Sequence, residues 1–385
     1  MTDRYPLHLD LTGRRVLVVG AGQVGVRRAR ALLSAGAVVT LVAPSAGEVP
    51  DGIALVERAF RPDDVDGCWL VVAATGVVDD EVAAACEQRH VWCVRSDDAS
   101  LSPAWVPAVG RLDDVVVSVT AGRDPRRATA LRDAVVLAAE TGSLPLRRHR
   151  AGTGSVALIG GGPGDPGLLT VRARLLLAQA DVVVRDRLAP VVDLPDGVEV
   201  IEVGKSPRGP SWSQGDIDRL LVEKAREGLS VVRLKGGDVH VFARGIEEVA
   251  TCTAAGVPVE VVPGVSSALA APTLAGIPLT AKGVTQSFTV VSAHLAPGDP
   301  ASTVDWDALA RLGGTLVLLM AVDRLAACCA ALVAGGLPAS TPVAVVERAS
   351  LPTQRLSVST LADAGSLDVS APAVVVVGEV VGWRA

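Results

Sequence analysis

The chain has 385 residues, a formal net charge of −6, and 49% hydrophobic residues of which few are aromatic. This length predicts two or three domains, and cores of valine, alanine and leucine are typical of α/β layers. The acidic balance disfavours wholesale nucleic-acid binding. Because the N-terminus shows no signal-peptide pattern and no apolar run reaches membrane-spanning length, we expect a cytoplasmic protein with no membrane partner.

The first predicted element is a strand over residues 14–19, followed by Gly20-Ala21-Gly22-Gln23-Val24-Gly25 and a helix over 26–34. In this context G-x-G-x-x-G indicates dinucleotide binding: Gly20 makes the turn, Gly22 lets a pyrophosphate approach and Gly25 lets the helix pack. The next strand, 38–42, ends in Ala43-Pro44-Ser45 rather than in the acidic residue that usually binds a ribose. The pattern predicts an NAD-binding Rossmann-like domain, with an empty Rossmann-like shell as the alternative.

Further strands are predicted at 68–75 and 91–94, and the second of these leads into Asp97 and Asp98. Carboxylates at the carboxyl end of a strand lie where open α/β sheets bind ligands, so both are candidates for acid/base chemistry. The alternative is that they cap a turn before Pro103. We expect 115–120 to form the last strand of this domain and 126–141 a helix.

The segment after this helix carries Pro145, several glycines and a basic run, a composition typical of linkers. We therefore predict a first domain at residues 1–142, a linker at 143–154 and a second domain at 155–385.

The second domain opens with an apolar strand that leads into a Gly/Pro-rich turn at 160–167. Such a turn leaves backbone groups uncovered for a small molecule, whereas the absence of a Gly-Lys-Ser/Thr ending disfavours a Mg-nucleotide. The following strands also end in glycine or charge. The last strands are too closely spaced for intervening helices, so we expect antiparallel pairing and a mixed sheet.

The six cysteines contain no C-x-x-C pair and the five histidines are not paired at ligand spacing. We expect buried, reduced thiols, and the sequence assigns no residue to a metal.

Six motifs of the second domain occur in the order found in uroporphyrinogen-III C-methyltransferases, and the domain closely resembles that family. They are IGGGPGDPGLLT (159–170), VVRDRL (183–188), VGK (203–205), VVRLKGGD (231–238), VVPGVSSALAAPTLAGIPLT (261–280) and TPVAVVE (341–347). The first domain resembles the precorrin-2 dehydrogenase part of siroheme synthases, through its glycine run, Ala73-Ala74-Thr75 and the strand end at 93–97. The order of the two domains resembles the fused siroheme synthase family.

For the second domain, the resemblance implies a tetrapyrrole methylase fold of two α/β lobes with S-adenosylmethionine in the cleft between them. The implied cofactor-binding residues are Pro163, Gly236, Gly237, Asp238, Val241, Ser266, Ser267, Met320 and Ala349. Asp186 matches the acid/base residue of the family and Lys205 its lysine partner; a simple ion pair between Asp186 and Arg187 is the alternative.

The implied substrate, uroporphyrinogen III, carries eight carboxylates, so an acidic protein must gather cations locally. The cations in or beside the motif loops are Arg187, Lys205, Arg208, Arg233, Lys235, Arg244 and Lys282.

For the first domain, the resemblance implies NAD-dependent oxidation of precorrin-2 to sirohydrochlorin, and it leaves open a further insertion of ferrous iron. Asp97 matches the catalytic aspartate of the family. The residues that match NAD contacts are Gln23, Val24, Pro44 and Ser45, beside the glycines of the turn.

Several positions depart from the pattern of the family: Arg185 replaces a tyrosine, Ser206 an arginine and Ala281 a histidine. The segment 111–150 is also shorter than the usual helical dimerisation segment. The resemblance implies a homodimer, and this shortening removes part of the reason for one.

Three alternatives remain open at this stage. The first is a methyltransferase that supplies precorrin-2 for siroheme or cobalamin while the first domain is structural or sensing. The second is a methylase of RNA or protein, which the net charge of −6 disfavours. The third is a non-catalytic cofactor-binding protein, against which Asp186 and Lys205 speak.

Overall fold

The computed structural model describes residues 5–112, 115–122, 124–144, 154–204 and 212–383. The chain divides into two compact units, Met1–Val136 and Leu137–Ala385. Most of the predicted linker, residues 145–153, lies outside the described residues.

The first unit contains a five-stranded parallel sheet in the order β3-β2-β1-β4-β5, which confirms the predicted α/β class. Val16 and Val18 pack into one hydrophobic cluster, whereas Leu17 and Val19 pack into another on the opposite face. Successive strand residues point to opposite faces, so the apolar run of β1 is buried on both sides. The elements of this sheet are β1 (Arg15–Val19), α1 (Gln23–Ser34), β2 (Val38–Ala43), β3 (Ala54–Glu57), β4 (Leu70–Ala73), α2 (Asp79–Gln88) and β5 (Trp92–Arg95).

The predicted last strand of the first domain is present, and it lies outside the five-stranded sheet. β7 (Val115–Val119) pairs antiparallel with β6 (Ala108–Leu112) in a separate two-stranded hairpin. β6 ends only three residues before β7 begins, and so short a connection permits local antiparallel pairing only. α3 (Pro125–Glu140) packs on this hairpin at Gly110, where a Cβ atom would lie 2.5 Å from a Val136 methyl group.

The second unit begins with a lobe built on a parallel sheet in the order β10-β9-β11-β8-β12. Helices cover both faces of this sheet, as in the first unit. The elements are β8 (Ser155–Gly160), α4 (Val171–Gln179), β9 (Val182–Arg185), β10 (Glu199–Glu202), α5 (Gln214–Arg226), β11 (Ser230–Lys235), α6 (Gly245–Ala254) and β12 (Val259–Val262).

The other lobe contains the predicted mixed sheet, in the order β13-β14-β17-β15-β16. β13 and β14 are parallel, and the other three pairs of neighbours are antiparallel. The elements are α7 (Ser267–Leu274), β13 (Phe288–Ser292), α8 (Trp306–Leu312), β14 (Thr315–Leu319), α9 (Leu325–Ala334), β15 (Pro342–Glu347), β16 (Arg355–Thr360) and β17 (Ala373–Val377).

Five of the six cysteines are buried, as predicted, and Cys68 is half-buried. Burial raises the pKa of the Cys252, Cys328 and Cys329 thiols to about 11. Over the described part of the chain, every helix is too short or too polar to cross a bilayer.

Gly25 gives a test of how the first unit packs. A Cβ atom at this position would lie 1.9 Å from the carbonyl oxygen of Gly20. We expect Gly25→Ala to lower the free energy of unfolding of the first unit by roughly 1–3 kcal/mol, because α1 must move away from the strand. Calorimetry checks this. Gly47→Ala is the control, since its Cβ atom would meet nothing within 4 Å, and equal effects of the two variants would contradict the prediction.

Candidate functional site

In the second unit, three glycine-containing loops meet at the carboxyl ends of β8, β11 and β12. Gly162 and Gly237 form a backbone bridge, with N–H to oxygen distances of 3.1 and 2.7 Å. A Cβ atom at Gly160 would lie 2.4 Å from the amide nitrogen of Gly264, and one at Gly236 would lie 2.8 Å from the carbonyl oxygen of Leu188. The main chains therefore touch directly, and only glycine permits this approach.

Asp238 ties two of these loops together. One of its carboxylate oxygens accepts a hydrogen bond from the N–H of His240 at 2.8 Å, and the other accepts one from the N–H of Gly264 at 3.1 Å. Ser266 caps α7 by accepting the N–H of Ala268, and the N–H of Ser267 lies 3.8 Å from where a Cβ atom of Gly237 would be. The structure thus brings together five of the predicted cofactor residues: Gly236, Gly237, Asp238, Ser266 and Ser267.

Two of the four remaining predicted cofactor residues, Met320 and Ala349, come from the facing lobe. Met320 follows β14 and Ala349 follows β15; Leu319 and Ala349 pack in one cluster with Ala268 of α7. The N–H of Asp165 donates to the hydroxyl of Ser350 at 3.0 Å, which links the loop of Pro163 to the loop of Ala349. Val241 lies exposed on the loop that follows Asp238.

Strained backbone marks the same loops. Six described non-glycine residues have positive φ, and five of them lie on the loops that follow β11, β14 and β15: Phe242, Arg244, Met320, Arg348 and Ser350. Such conformations cost free energy and cluster at ligand-binding sites. Direct main-chain contacts, backbone donors and exposed apolar side chains together fit a ligand that joins an adenosine group to a sulfonium bearing small alkyl groups.

Asp186 follows β9 beside this cleft. Its carboxylate accepts a hydrogen bond from Nη2 of Arg233 at 2.5 Å, and Nζ of Lys235 lies 3.8 Å away. Arg233, and not Arg187, is therefore the arginine that pairs with it. Leu188, two residues later, packs against Gly236 of the cofactor loop.

Lys205, the predicted partner of Asp186, lies outside the described residues. Gly204, the residue before it, packs against Arg187: a Cβ atom there would lie 2.5 Å from the Cβ atom of Arg187.

Two of the cations assigned to the substrate are in the wrong place for that role. The side chains of Arg233 and Lys235 are only 2% exposed, and both pair with Glu248, which is fully buried. Sequence reasoning missed Glu248. The alternation of charged and apolar residues in β11 was a signal, because positions 233 and 235 share one face of a buried strand.

In the first unit, the glycine turn has the geometry expected for a dinucleotide. Gly22 is the N-cap of α1, without a side-chain cap and without an acidic residue in the first turn, so the N–H groups of the helix N-terminus can bind a pyrophosphate. A Cβ atom at Gly20 would lie 2.5 Å from the carbonyl oxygen of Ala74. Of the other predicted NAD residues, Gln23, Val24 and Gly25 lie in the first turn of α1, and Pro44 and Ser45 follow β2.

Asp97 lies at the same edge of this sheet, because the N–H of Ser96 donates to the carbonyl oxygen of Ala73 at the end of β4. Arg95 donates to both oxygens of its carboxylate, from Nε at 3.0 Å and from Nη2 at 2.5 Å, and also pairs with Asp80. The hydrogen bonds from Arg95 lower the pKa of Asp97 to about 2. Sequence reasoning missed Arg95. Asp98 instead caps a turn, the alternative considered for both aspartates: its carboxylate accepts a hydrogen bond from the N–H of Ser100 at 2.7 Å.

Comparison with known proteins agrees with both halves of this description. Residues 155–365 match the family of tetrapyrrole (corrin/porphyrin) methylases, and residues 7–108 match an NAD(P)-binding family. The siroheme synthase of Chromobacterium violaceum is 37% identical, over 98% of this chain and 95% of its own, and that of Azotobacter vinelandii is 36% identical over 99% and 97%. The structure of uroporphyrin-III C-methyl transferase from Thermus thermophilus complexed with S-adenyl homocysteine is 42% identical, covers 59% of this chain and 93% of its own, and superimposes with a TM-score of 0.51.

The fold and the two sites define a protein that joins a dinucleotide-binding unit to a tetrapyrrole methylase unit. The chain belongs to the siroheme synthase family. It is shorter than its relatives: the alignment with the Chromobacterium protein spans 454 positions against 385 residues here, so at least 69 positions have no counterpart in this chain.

Arg95→Met tests the electrostatic environment of Asp97. Without the guanidinium, we expect the pKa of Asp97 to rise from about 2 towards the usual value of about 3.9. Because the pKa of Asp97 is lower in the folded than in the unfolded chain, its ion pair stabilises the fold at pH values above the unfolded-state pKa. This stability is lost as the pH falls through the folded-state pKa. The stability difference between wild type and variant should therefore shrink between about pH 4 and pH 2.

NMR of carboxyl-labelled aspartates measures the Asp97 titration directly. The matched control is Arg89→Met, which breaks the pairs with Asp63 and Asp66 in the same unit. An unchanged Asp97 titration in Arg95→Met would contradict the assignment.

Asp238→Asn tests the loop junction of the second unit. An amide weakens both charge-assisted hydrogen bonds from backbone N–H groups, so we expect affinity for S-adenosylmethionine to fall roughly tenfold. Isothermal titration calorimetry measures it. Asp299→Asn, which weakens in the same way a hydrogen bond from the N–H of Ala301 on an exposed loop, is the control, and equal affinities of the two variants would contradict the prediction.

Proposed function

We propose that this protein carries out two successive steps of siroheme biosynthesis. Its second unit methylates uroporphyrinogen III twice to give precorrin-2, and its first unit oxidises precorrin-2 to sirohydrochlorin. One shared feature of the two units supports this most. In each unit an aspartate lies beside the candidate ligand site, just after the end of a strand, and pairs with an arginine: Asp186 with Arg233 and Asp97 with Arg95.

For methylation, S-adenosylmethionine supplies an electrophilic methyl group when bound. The glycine loops and the residues of the facing lobe hold it, and Asp186 lies beside that loop system through the contact between Leu188 and Gly236. The bound cofactor would supply its methyl group to a carbon atom of the macrocycle, with S-adenosylhomocysteine as the leaving group. The carboxylate of Asp186 accepts the proton that the macrocycle then loses.

For oxidation, NAD supplies a hydride acceptor when bound. The uncapped N-terminus of α1 binds its pyrophosphate. Asp97, at the same edge of the sheet, takes the proton that leaves precorrin-2 with the hydride, and the products are sirohydrochlorin and NADH.

One observation favours a second candidate, in which only the methyltransferase is active and precorrin-2 is the product. With a pKa of about 2, Asp97 is a weak base in this conformation. In the leading proposal, Arg95 must turn towards Asp80 and the substrate before Asp97 accepts a proton.

We also propose that the protein is a cytoplasmic homodimer. The dimer is supported by exposed apolar side chains on the β6–β7 hairpin and α3: Val109, Val115, Val116, Leu131 and Val135. Light scattering gives the mass directly, and a monomer at micromolar concentration would contradict the dimer.

Anaerobic turnover of uroporphyrinogen III with S-adenosylmethionine, with and without NAD, tests the main proposal. We expect mass spectrometry to show two added methyl groups, and a further loss of two hydrogens when NAD is present. Asp97→Ala should lower the oxidation rate by roughly 10²–10⁴-fold without changing methylation. Methylation with no effect of NAD would select the second candidate, and no methylation would contradict both. Adding ferrous iron to the same assay shows whether this chain also inserts the metal as a third step.

A further inference from the structure

Three charged side chains lie fully inside the first lobe of the second unit, directly beneath Asp186. The side chains of Arg233 and Lys235 are each 2% exposed and that of Glu248 is 0% exposed, whereas Asp186 is 31% exposed. The cluster contains two positive and two negative charges, and Asp186 is the member that reaches solvent.

The sheet geometry dictates this arrangement. Arg233 and Lys235 are two residues apart on β11, so both point to the face of the sheet where Val231 packs against α5 and α6. Glu248, on α6, lies above them. β9 is the neighbour of β11, and the N–H of Asp186 donates to the carbonyl oxygen of Leu234 at 3.0 Å. Asp186 is thereby fixed at the rim of the same face.

Glu248 is the hub of the cluster. Its Oε1 accepts hydrogen bonds from Nε of Arg233 at 3.0 Å, from Nζ of Lys235 at 2.9 Å and from Nε2 of Gln214 at 3.2 Å. Nη1 of Arg233 donates to the carbonyl oxygen of Val184 at 3.3 Å. With Nε and Nη1 engaged in this way, the guanidinium has one orientation, and that orientation presents Nη2 to Asp186.

Stability does not explain such a cluster. Taking three charges out of water costs several kcal/mol per ion, and apolar replacements of buried ion pairs are often neutral or stabilising. An apolar side chain at any of these positions would, however, remove the donor to Asp186 (Arg233), the positive charge beside it (Lys235) or the residue that anchors both (Glu248).

We propose that Glu248 is a positioning residue for methyl transfer, which acts by aiming Arg233 and Lys235 at Asp186. The inference rests on the proposed role of Asp186 in accepting a proton. Glu248 itself touches no reacting atom; it fixes where the carboxylate of Asp186 stands relative to the cofactor loop.

A double-mutant cycle tests this with the full-length chain, radiolabelled S-adenosylmethionine and uroporphyrinogen III. We expect Glu248→Gln to lower kcat by roughly 10- to 100-fold, the effect of a misplacement of about 1 Å, with the KM for S-adenosylmethionine changed less than about twofold. In an Asp186→Asn background, Glu248→Gln should add less than about a twofold further loss, because two residues that act as one unit are not additive.

A matched control and a charge-balanced variant separate positioning from folding. Glu260 lies on β12, three strands away from β9 in the same sheet, and forms an ion pair with Arg172 of α4. Glu260→Gln removes this ion pair and should leave kcat unchanged. If Glu248→Gln does not fold, the double variant Glu248→Gln/Lys235→Met removes one negative and one positive charge together. It leaves Arg233 opposite Asp186. That variant should fold, as judged by circular dichroism, and still show the lowered kcat.

Two outcomes overturn the inference alone. In the first, the wild type is active, and folded Glu248→Gln, or the charge-balanced variant, has a kcat within twofold of it. In the second, the kcat losses of Asp186→Asn and Glu248→Gln multiply in the double variant. The latter would mean that Glu248 acts on the fold and not through Asp186. A wild-type chain that transfers no methyl group would overturn the proposed function, and the inference with it.

Discussion

The two parallel sheets of this protein are covered by apolar side chains on both faces, and this constraint decides where reactive groups can lie. In β1, alternate residues enter opposite cores, and the sheet of the methylase lobe repeats the arrangement. A sheet buried on both faces leaves its carboxyl edge as the place where backbone groups and polar side chains meet a ligand. The glycine turns, Asp97 and Asp186 all lie at such edges, and each follows directly from the end of its strand.

This constraint also explains how much the sequence predicted. Strands, glycine turns and the two aspartates are local patterns, so their positions at the sheet edges could be predicted from residue order alone. Glu248 lies 62 residues from Asp186 along the chain, and no local pattern pairs them; α6 must first pack over β11. The pairing of β7 with β6 was not predicted for a different reason: a valine-rich strand resembles a strand of the main sheet, and only its short separation from β6 in the sequence indicates a local partner.

The charge balance of the chain requires a finer account than its composition gives. An acidic protein that binds a polycarboxylate needs exposed cations, and sequence position alone assigned seven to that task. Two of the seven, Arg233 and Lys235, are consumed inside the lobe by Glu248 and Asp186, and Arg244 is paired with Glu247. Arg187 and Lys282 are less buried than the two internal cations. A cation inside a motif can therefore be buried and paired, as Arg233 and Lys235 are.

Both aspartates follow the carboxyl end of a strand, Asp97 after the edge strand β5 and Asp186 after the interior strand β9, and they are held differently. Arg95, which pairs with Asp97, also pairs with Asp80, whose side chain is 87% exposed, so its second partner lies in water. Arg233, which pairs with Asp186, is locked from behind by a glutamate with no exposure. The second partner of Arg95 is exposed, and exposed ion pairs contribute little to stability, but the Arg95 side chain itself is only 7% exposed. An arginine anchored in the core cannot turn without uncovering a buried charge. Asp97 is thus held by an arginine whose second partner is exposed, and Asp186 by an arginine whose second partner is buried.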